Sequence, residues 1–310
     1  GSPNHHPTHI QATQTTQNYL ENTPLPVHGK SYTVISHKSV IDNTKKLLKD
    51  SGFTITQEIY RANMNAQVAQ GIYHIRPDNT QNDLINNEKE LGMMFAWTNS
   101  YDKSTRFQCA IGAQVFVCGN GMMCGDMMNF KRKHTGSAGH DMVVQLSNQI
   151  KNGEKHYTRM ITDRDALKNI SLTKREQSEL LGRLFIDEEI ITSSQISCAK
   201  KEINKPSYIY SSNDDNAWTF YNHITHSLKM SPPRDWMQDS QNFHDFMMTE
   251  VVQAHSQSAI ADIDFSNFET NQDPNFNIDD VKNIINENVK AIEIDEEIKP
   301  LHLNHEFYTI

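Results

Sequence analysis

The residues best suited to chemistry lie between Asn99 and His134, where two cysteines flank a glycine-rich turn. Cys118 and Cys124 are six positions apart, whereas zinc sites use cysteines separated by two to four residues. No further Cys or His pair lies nearby at ligand spacing. The spacing favours structural cysteines, with a metal site or a nucleophile as the alternatives, and we predict no metal.

Other catalytic motifs are incomplete. Gly119, Gly121 and Gly125 form G-x-G-x-x-x-G, which is not the dinucleotide fingerprint, and Asn120-Gly121 is interpreted as a turn with positive φ. The 15 histidines include no H-E-x-x-H, and residues 136–139 do not form a nucleophile elbow. Residues 187–189 are interpreted as a solvated helix end, with a catalytic carboxylate pair left open. We therefore lean against an enzyme and predict no catalytic residue and no cofactor.

A basic cluster is the strongest binding signal. Between residues 99 and 134, five cationic side chains stand against two aspartates. The predicted binding residues are Lys103, Arg106, Lys131, Arg132, Lys133 and His134. Neighbouring Gly and Ser residues would let backbone amides approach phosphates. Four aromatics could stack on bases, namely Phe95, Trp97, Tyr101 and Phe107. The alternative is a solvated loop over a core sheet.

Charge and composition set the wider context. The net charge is −9, yet residues 245–310 alone carry 14 acidic residues and three lysines, so the preceding body is slightly basic. Four cysteines are too few for a disulfide framework, and Cys118 and Cys124 are expected to be free thiols. No run of about 18 apolar residues is present, and the first residues lack a signal peptide. We expect a cytoplasmic protein.

Periodicity predicts a helix and then strands. Ser36 is a plausible N-cap for a helix over 37–50, and Gly52 can supply its left-handed stop. Strands are predicted at 53–60, 71–76, 91–101 and 105–118, and the last two form a hairpin. Phe107, Ile111, Val115 and Val117 share one parity and should be core residues. Together these elements predict an antiparallel meander carrying an N-terminal helix.

The pattern becomes helical after residue 140. Helices are predicted at 141–150, after the capping box Thr173–Glu176, at 217–230 and from Trp236 to His255. The fold class is therefore α+β. We divide the chain into a flexible polar arm (1–30), an α+β domain (31–255; β-rich 31–140, helical 141–255) and an acidic, Asn-rich segment (256–310) containing one amphipathic stretch, Val281–Ile292.

Several separated motifs resemble the YafZ/YfjQ/YubP-type family of prophage and conjugative-plasmid proteins, a domain of unknown function. That family has an Asn-Ser-x-Asp-x-Ser/Thr turn, a Tyr/Phe-Gln, a Val-Cys-x-Asn-Gly and a His-x-Gly. The matching positions are Asn99, Ser100, Asp102, Phe107, Gln108, Gly112, Val117, Cys118, Asn120, Gly121, Cys124, Gly125, His134 and Gly136. Residues 50–53 and 216–221 are similar as well. The resemblance covers about 30–230 and implies a mobile-element context, not a reaction.

Three functions remain open from the sequence. The order of helix and strands is analogous to phage single-strand annealing proteins, a fold-level analogy. With the basic hairpin, it makes binding or annealing of single-stranded nucleic acid our leading hypothesis. The rival is a factor that binds and inhibits a host protein, such as a defence enzyme. A nucleic-acid-processing enzyme is the third, and the protein could form homo-oligomers in any of these roles.

Overall fold

The computed structural model describes residues 13–27, 34–124 and 138–262, together with positions 279, 282, 283 and 286. Six strands form one antiparallel sheet, in the same order in space as along the chain. They are β1 (Gln14–Thr15), β2 (Phe53–Ala62), β3 (Val68–Pro77), β4 (Leu91–Ser100), β5 (Gln108–Val115) and β6 (Gly121–Met123). The predicted meander and its β4–β5 hairpin are confirmed.

Helices precede the main strands and make up most of the second half. They are α1 (Gln17–Glu21), α2 (His37–Asp50), α3 (Asp83–Asn87), α4 (Ala138–Lys151), α5 (Gly153–Lys168), α6 (Lys174–Gly182), α7 (Ser193–Asn204), α8 (Ala217–Leu228), α9 (Trp236–Met247) and α10 (Ala254–Ala261). A π turn, Met248–Gln253, makes α9 and α10 continuous, and another, Arg183–Asp187, extends α6. The α+β class is confirmed. In the described residues, no helix has the length and apolarity needed to span a bilayer.

Helix α2 begins and ends where its local signals predict. The Ser36 side chain accepts a hydrogen bond from the Ser39 amide, which satisfies one of the free donors of the first turn. Gly52 has a φ of +83°, the left-handed conformation that ends many helices. Val40, Ile41 and Leu48 are fully buried, so the apolar stripe packs on the sheet as expected.

The centre of the sheet is a middle layer, because strands β4 and β5 are buried on both faces. Every residue of β4 and β5 is buried. Phe95 and Ile111 point to the main core, which includes residues of α2, α4, α5 and α8. On the opposite face, Met94 and Ala110 form a smaller core with Trp236 at the start of α9. The helical half therefore contacts the sheet from both sides.

The prediction of a flexible arm over residues 1–30 is wrong for residues 13–21. Gln14 and Thr15 pair with β2, and the buried Leu20 of α1 joins the main core. The guanidinium of the buried Arg61 donates to the Thr13 hydroxyl at 2.9 Å. Because this segment is mostly polar, its sequence did not indicate that Leu20 is buried or that Gln14 and Thr15 pair with the edge of the sheet.

The end of β5 also differs from the prediction. The strand stops at Val115, where the amides of Cys118 and Gly119 both donate to the Val115 carbonyl. This turn leaves Val117 52% exposed, so Val117 is not a core residue, and Phe107 is only partly buried. The left-handed residue is Gly119, with a φ of +69°, and not Asn120 or Gly121.

The C-terminal part of the chain is described continuously only as far as residue 262, just after α10. Helix α10 runs through Ala261, past the boundary predicted at residue 255. Most of the acidic segment, including nearly all of the predicted amphipathic stretch at 281–292, lies outside the described residues.

Candidate functional site

Two of the six predicted binding residues lie at the tip of the β4–β5 hairpin. Lys103 and Arg106 are both exposed, and the Asp102 carboxylate closes the tip by accepting from the Ser104 amide at 2.9 Å. Arg234 is paired with Asp235 at 3.1 Å, and Asp235, with a weaker contribution from Asp102, raises the pKa of its guanidinium. The other predicted binding residues, Lys131, Arg132, Lys133 and His134, and the motif residue Gly136 lie outside the described residues.

Three of the four hairpin aromatics are buried and cannot stack on bases, so that part of the prediction is wrong for them. Phe95 and Trp97 are fully buried, and the Trp97 indole donates to the Tyr73 hydroxyl at 3.2 Å. Tyr101 stacks on His37 with ring centroids 3.8 Å apart. Phe107 packs against the main core. Phe95 and Trp97 alternate along β4 and both point into the main core, where bases cannot reach them.

Motif residue Asn99 anchors the start of α2 and does not face solvent. Its amide nitrogen donates to the Ile35 carbonyl at 2.9 Å and lies 3.0 Å from Nδ1 of His37. The other ring nitrogen of His37 lies 2.7 Å from the Ala66 carbonyl oxygen. Burial lowers the pKa of His37 to about 4, so its ring is neutral at pH 7. Gln108, a second motif residue, is buried in β5.

The Cys118–Gly121 turn meets α8. Asn120 is fully buried, and its side-chain nitrogen Nδ2 donates to the backbone carbonyl oxygen and to the side-chain oxygen of Asn222, both at 3.1 Å. Lys229, just after α8, donates to the Cys118 carbonyl at 2.6 Å. A Cβ on Gly121 would lie 2.5 Å from the Trp236 ring, so only glycine fits there. The motif residues of this turn thus join the sheet to the helical half.

A second cluster, which the sequence did not indicate, consists of Cys124, Asp163 and His244. These buried residues come from the end of β6, from α5 and from α9, and their ligand atoms all lie within 4.8 Å of one another. They are far apart in the sequence, so no local spacing could have identified them. The only available signal was a cysteine near a sheet end, which fits a structural residue equally well.

Hydrogen bonds hold the cluster in place. His244 Nε2 lies 2.8 Å from Asp163 Oδ2, and His244 Nδ1 lies 2.8 Å from the Tyr221 hydroxyl. Arg159, one turn before Asp163 in α5, donates to Asp163 Oδ1 at 3.1 Å. The Cys124 thiol lies 3.8 Å from the His156 carbonyl oxygen. Burial raises the pKa of Cys124, and that of Tyr221, well above their ordinary values.

This geometry disfavours a cysteine nucleophile. A catalytic histidine must offer one ring nitrogen to the thiol, but both nitrogens of His244 are engaged by Asp163 and Tyr221. Burial also keeps the Cys124 thiol protonated, and a thiol is a poor nucleophile. Sulfur, imidazole and carboxylate together are instead a ligand set that zinc accepts. The four cysteines of the chain are free thiols.

Residues 24–249 match the domain of unknown function DUF932. The chain belongs to the DUF932 family. The DUF932 match includes the basic hairpin, the Cys118–Gly121 turn and all three residues of the buried cluster. Comparison of the chain with curated proteins and with solved structures gave no match.

Proposed function

We propose that this DUF932 protein binds single-stranded nucleic acid through phosphate contacts at the tip of the β4–β5 hairpin. The exposure of Lys103 and Arg106 at this tip is the observation that carries the proposal. Such cations neutralise phosphates and release counterions, which supplies most of the affinity in sequence-independent binding.

The remaining predicted cations, Lys131, Arg132 and Lys133, lie outside the described residues. We propose that they add phosphate contacts to those of the hairpin tip.

The burial of the hairpin aromatics indicates which part of a nucleic acid the protein would contact. With Trp97, Phe95 and Tyr101 in the core, recognition rests on the phosphate backbone and not on base stacking. We therefore propose an interaction that is insensitive to base sequence and strongly dependent on salt.

We also propose a biological setting for this binding. The motifs shared with the YafZ-type family support a role as an accessory protein of a phage or plasmid, in the host cytoplasm. The acidic C-terminal segment would compete with nucleic acid for the basic tip, because its charge is opposite to that of the tip.

The test is the salt dependence of binding to a fluorescent single-stranded oligonucleotide. The logarithm of affinity should fall with the logarithm of salt concentration, with a slope of about −0.7 per phosphate contact. Lys103→Ala with Arg106→Ala should flatten the slope by about 1.4, as expected for two lost contacts, and weaken binding to all sequences alike. The matched control is Lys174→Ala with Arg175→Ala, since these exposed cations belong to α6.

Absence of salt-dependent binding at low ionic strength, or an equal effect of the control pair, would contradict the proposal. A protein partner is then the second candidate, favoured by the adjacent side chains of Phe116 and Val117. These are 58% and 52% exposed at the opposite end of β5. Phe116→Ser with Val117→Ser should then abolish capture of a host protein and leave the hairpin unaffected.

A further inference from the structure

The buried cluster of Cys124, Asp163 and His244 has the composition of a metal site. One sulfur, one imidazole nitrogen and one carboxylate oxygen converge from β6, α5 and α9, with all three donor atoms within 4.8 Å of one another. We propose that these three residues bind a zinc ion. Zinc combines thiolate, imidazole and carboxylate ligands, whereas calcium and magnesium bind through oxygen.

Two of the three ligands have the hydrogen-bond partners that zinc ligands need. A metal-bound histidine usually holds its other ring nitrogen in a hydrogen bond, and here Tyr221 occupies that position at 2.8 Å from Nδ1. Asp163 is held in the same way through its second oxygen, which accepts from Arg159 at 3.1 Å. These contacts leave His244 Nε2 and Asp163 Oδ2 facing each other beside the Cys124 sulfur.

Binding of the ion raises the charge of the cluster by one unit. In the metal-free cluster, the Asp163 carboxylate pairs with Arg159, and Cys124 carries its thiol proton. When zinc binds, the thiol loses that proton to solvent, so thiolate and carboxylate offset the two positive charges of the ion, and the Arg159 guanidinium keeps its own positive charge. His244 binds the ion through Nε2, so its ring proton is then on Nδ1 and is donated to the Tyr221 oxygen. The thiol proton leaves for each zinc bound, and no redox change is required.

A zinc ion at this position would connect the two halves of the molecule. Cys124 follows the last strand of the sheet, whereas Asp163 and His244 belong to two helices of the second half. Three protein ligands leave the fourth tetrahedral position to a water molecule. This site is independent of the hairpin cations, so either proposal can fail without the other.

The experiment uses the full chain, purified without chelator. We expect close to one zinc per chain by mass spectrometry, and X-ray absorption should show one sulfur at about 2.3 Å with nitrogen or oxygen at about 2.0–2.2 Å. After exchange for cobalt, a thiolate-to-metal absorption band should appear. His5, His6 and His9 near the start of the chain could hold metal, but they offer no sulfur, so the band separates the two sources.

Cys124→Ser should abolish the cobalt–thiolate band. Cys118→Ser and Cys198→Ser should keep it, since these two free thiols are only partly buried and lie outside the cluster. Tyr221→Phe preserves the ring and should lower zinc affinity about 10- to 100-fold in competition with a chromophoric chelator. If Cys124→Ser does not fold, the sulfur distance in the wild-type protein decides the question. A wild-type protein without stoichiometric zinc and without the band would overturn the proposal and leave a hydrogen-bond network only.

Discussion

At the scale of single residues, Asp239 in the first turn of α9 has the most perturbed environment among the described carboxylates. Ser231 donates to its Oδ2 at 2.7 Å, and the Ser231 hydroxyl in turn accepts from the Gln195 side chain at 2.8 Å. The pKa of Asp239 is raised to about 7, mainly by burial and also by Asp235, while Ser231 and Arg234 oppose the shift. The ionised form is therefore disfavoured in the folded protein.

This pKa has a consequence for stability. Between about pH 4 and pH 7 the folded state holds a proton on Asp239 that the unfolded state has lost, so this residue makes the protein less stable as pH rises. We predict that Asp239→Asn raises the free energy of unfolding by about 1–3 kcal/mol at pH 8, and that this gain shrinks toward pH 4. Urea denaturation of both proteins across this range measures the difference.

The exposed Asp42, which pairs with Lys38, provides the control. Asp42→Asn should change stability by no more than about 0.5 kcal/mol at any pH in the range. A gain from Asp239→Asn that stays constant with pH would show that titration of this carboxyl is not its cause.

At the scale of elements, the N-terminal segment β1–α1 is part of the domain. Leu20 is fully buried in the main core, whereas its neighbour Tyr19 is 50% exposed. We predict that Leu20→Ala lowers the free energy of unfolding by about 2–5 kcal/mol through lost apolar contacts and the cavity it leaves. Thermal or urea unfolding gives the value.

Tyr19→Ala is the matched control in the same helix and should cost no more than about 0.5 kcal/mol. Equal effects of the two substitutions would mean that α1 does not contribute to the core.

Elements whose signals are local were predictable, and those fixed by distant contacts were not. The Ser36 cap, the Thr173–Glu176 capping box and the glycine stop of α2 lie within a few residues of the backbone groups they satisfy. The place of Leu20 depends instead on a core built from residues much later in the chain. The same holds for the candidate sites. A turn in the sequence predicts that Lys103 and Arg106 lie at the hairpin tip. Cys124, in contrast, comes close to His244 only when the helical half has packed on the sheet.

At the scale of the whole molecule, a network of charged groups ties the sheet to the helices. Arg164 in α5 is 8% exposed and donates to both oxygens of Glu88, at 2.6 and 2.8 Å. Glu90 accepts from the Trp218 indole of α8 at 2.9 Å and from Lys168 at 2.6 Å. Because the main core also includes residues from both halves, the described domain should unfold as one unit.

We predict a single unfolding transition, with tryptophan fluorescence and far-ultraviolet circular dichroism giving the same midpoint. Glu88→Ala should shift both midpoints together and cost about 3–5 kcal/mol, since it leaves a buried guanidinium without its main partner. Glu179→Ala, in the exposed pair with Arg175, should have almost no effect. Separate midpoints for the two probes would contradict a single unit.

The meander also determines what the chain exposes while it is being synthesised. Each main strand pairs with its predecessor in the sequence, so the sheet can assemble by successive hairpins as soon as β6 leaves the ribosome. Met94, Ala110 and Met123 pack in one cluster with Trp236 and Met237, which emerge only after α4 to α8 have been made. Throughout that interval this methionine-rich sheet face lacks its contacts with α9. The nascent chain is therefore a natural client for chaperones that bind apolar surfaces, and its aggregation during expression should depend on translation speed after residue 124.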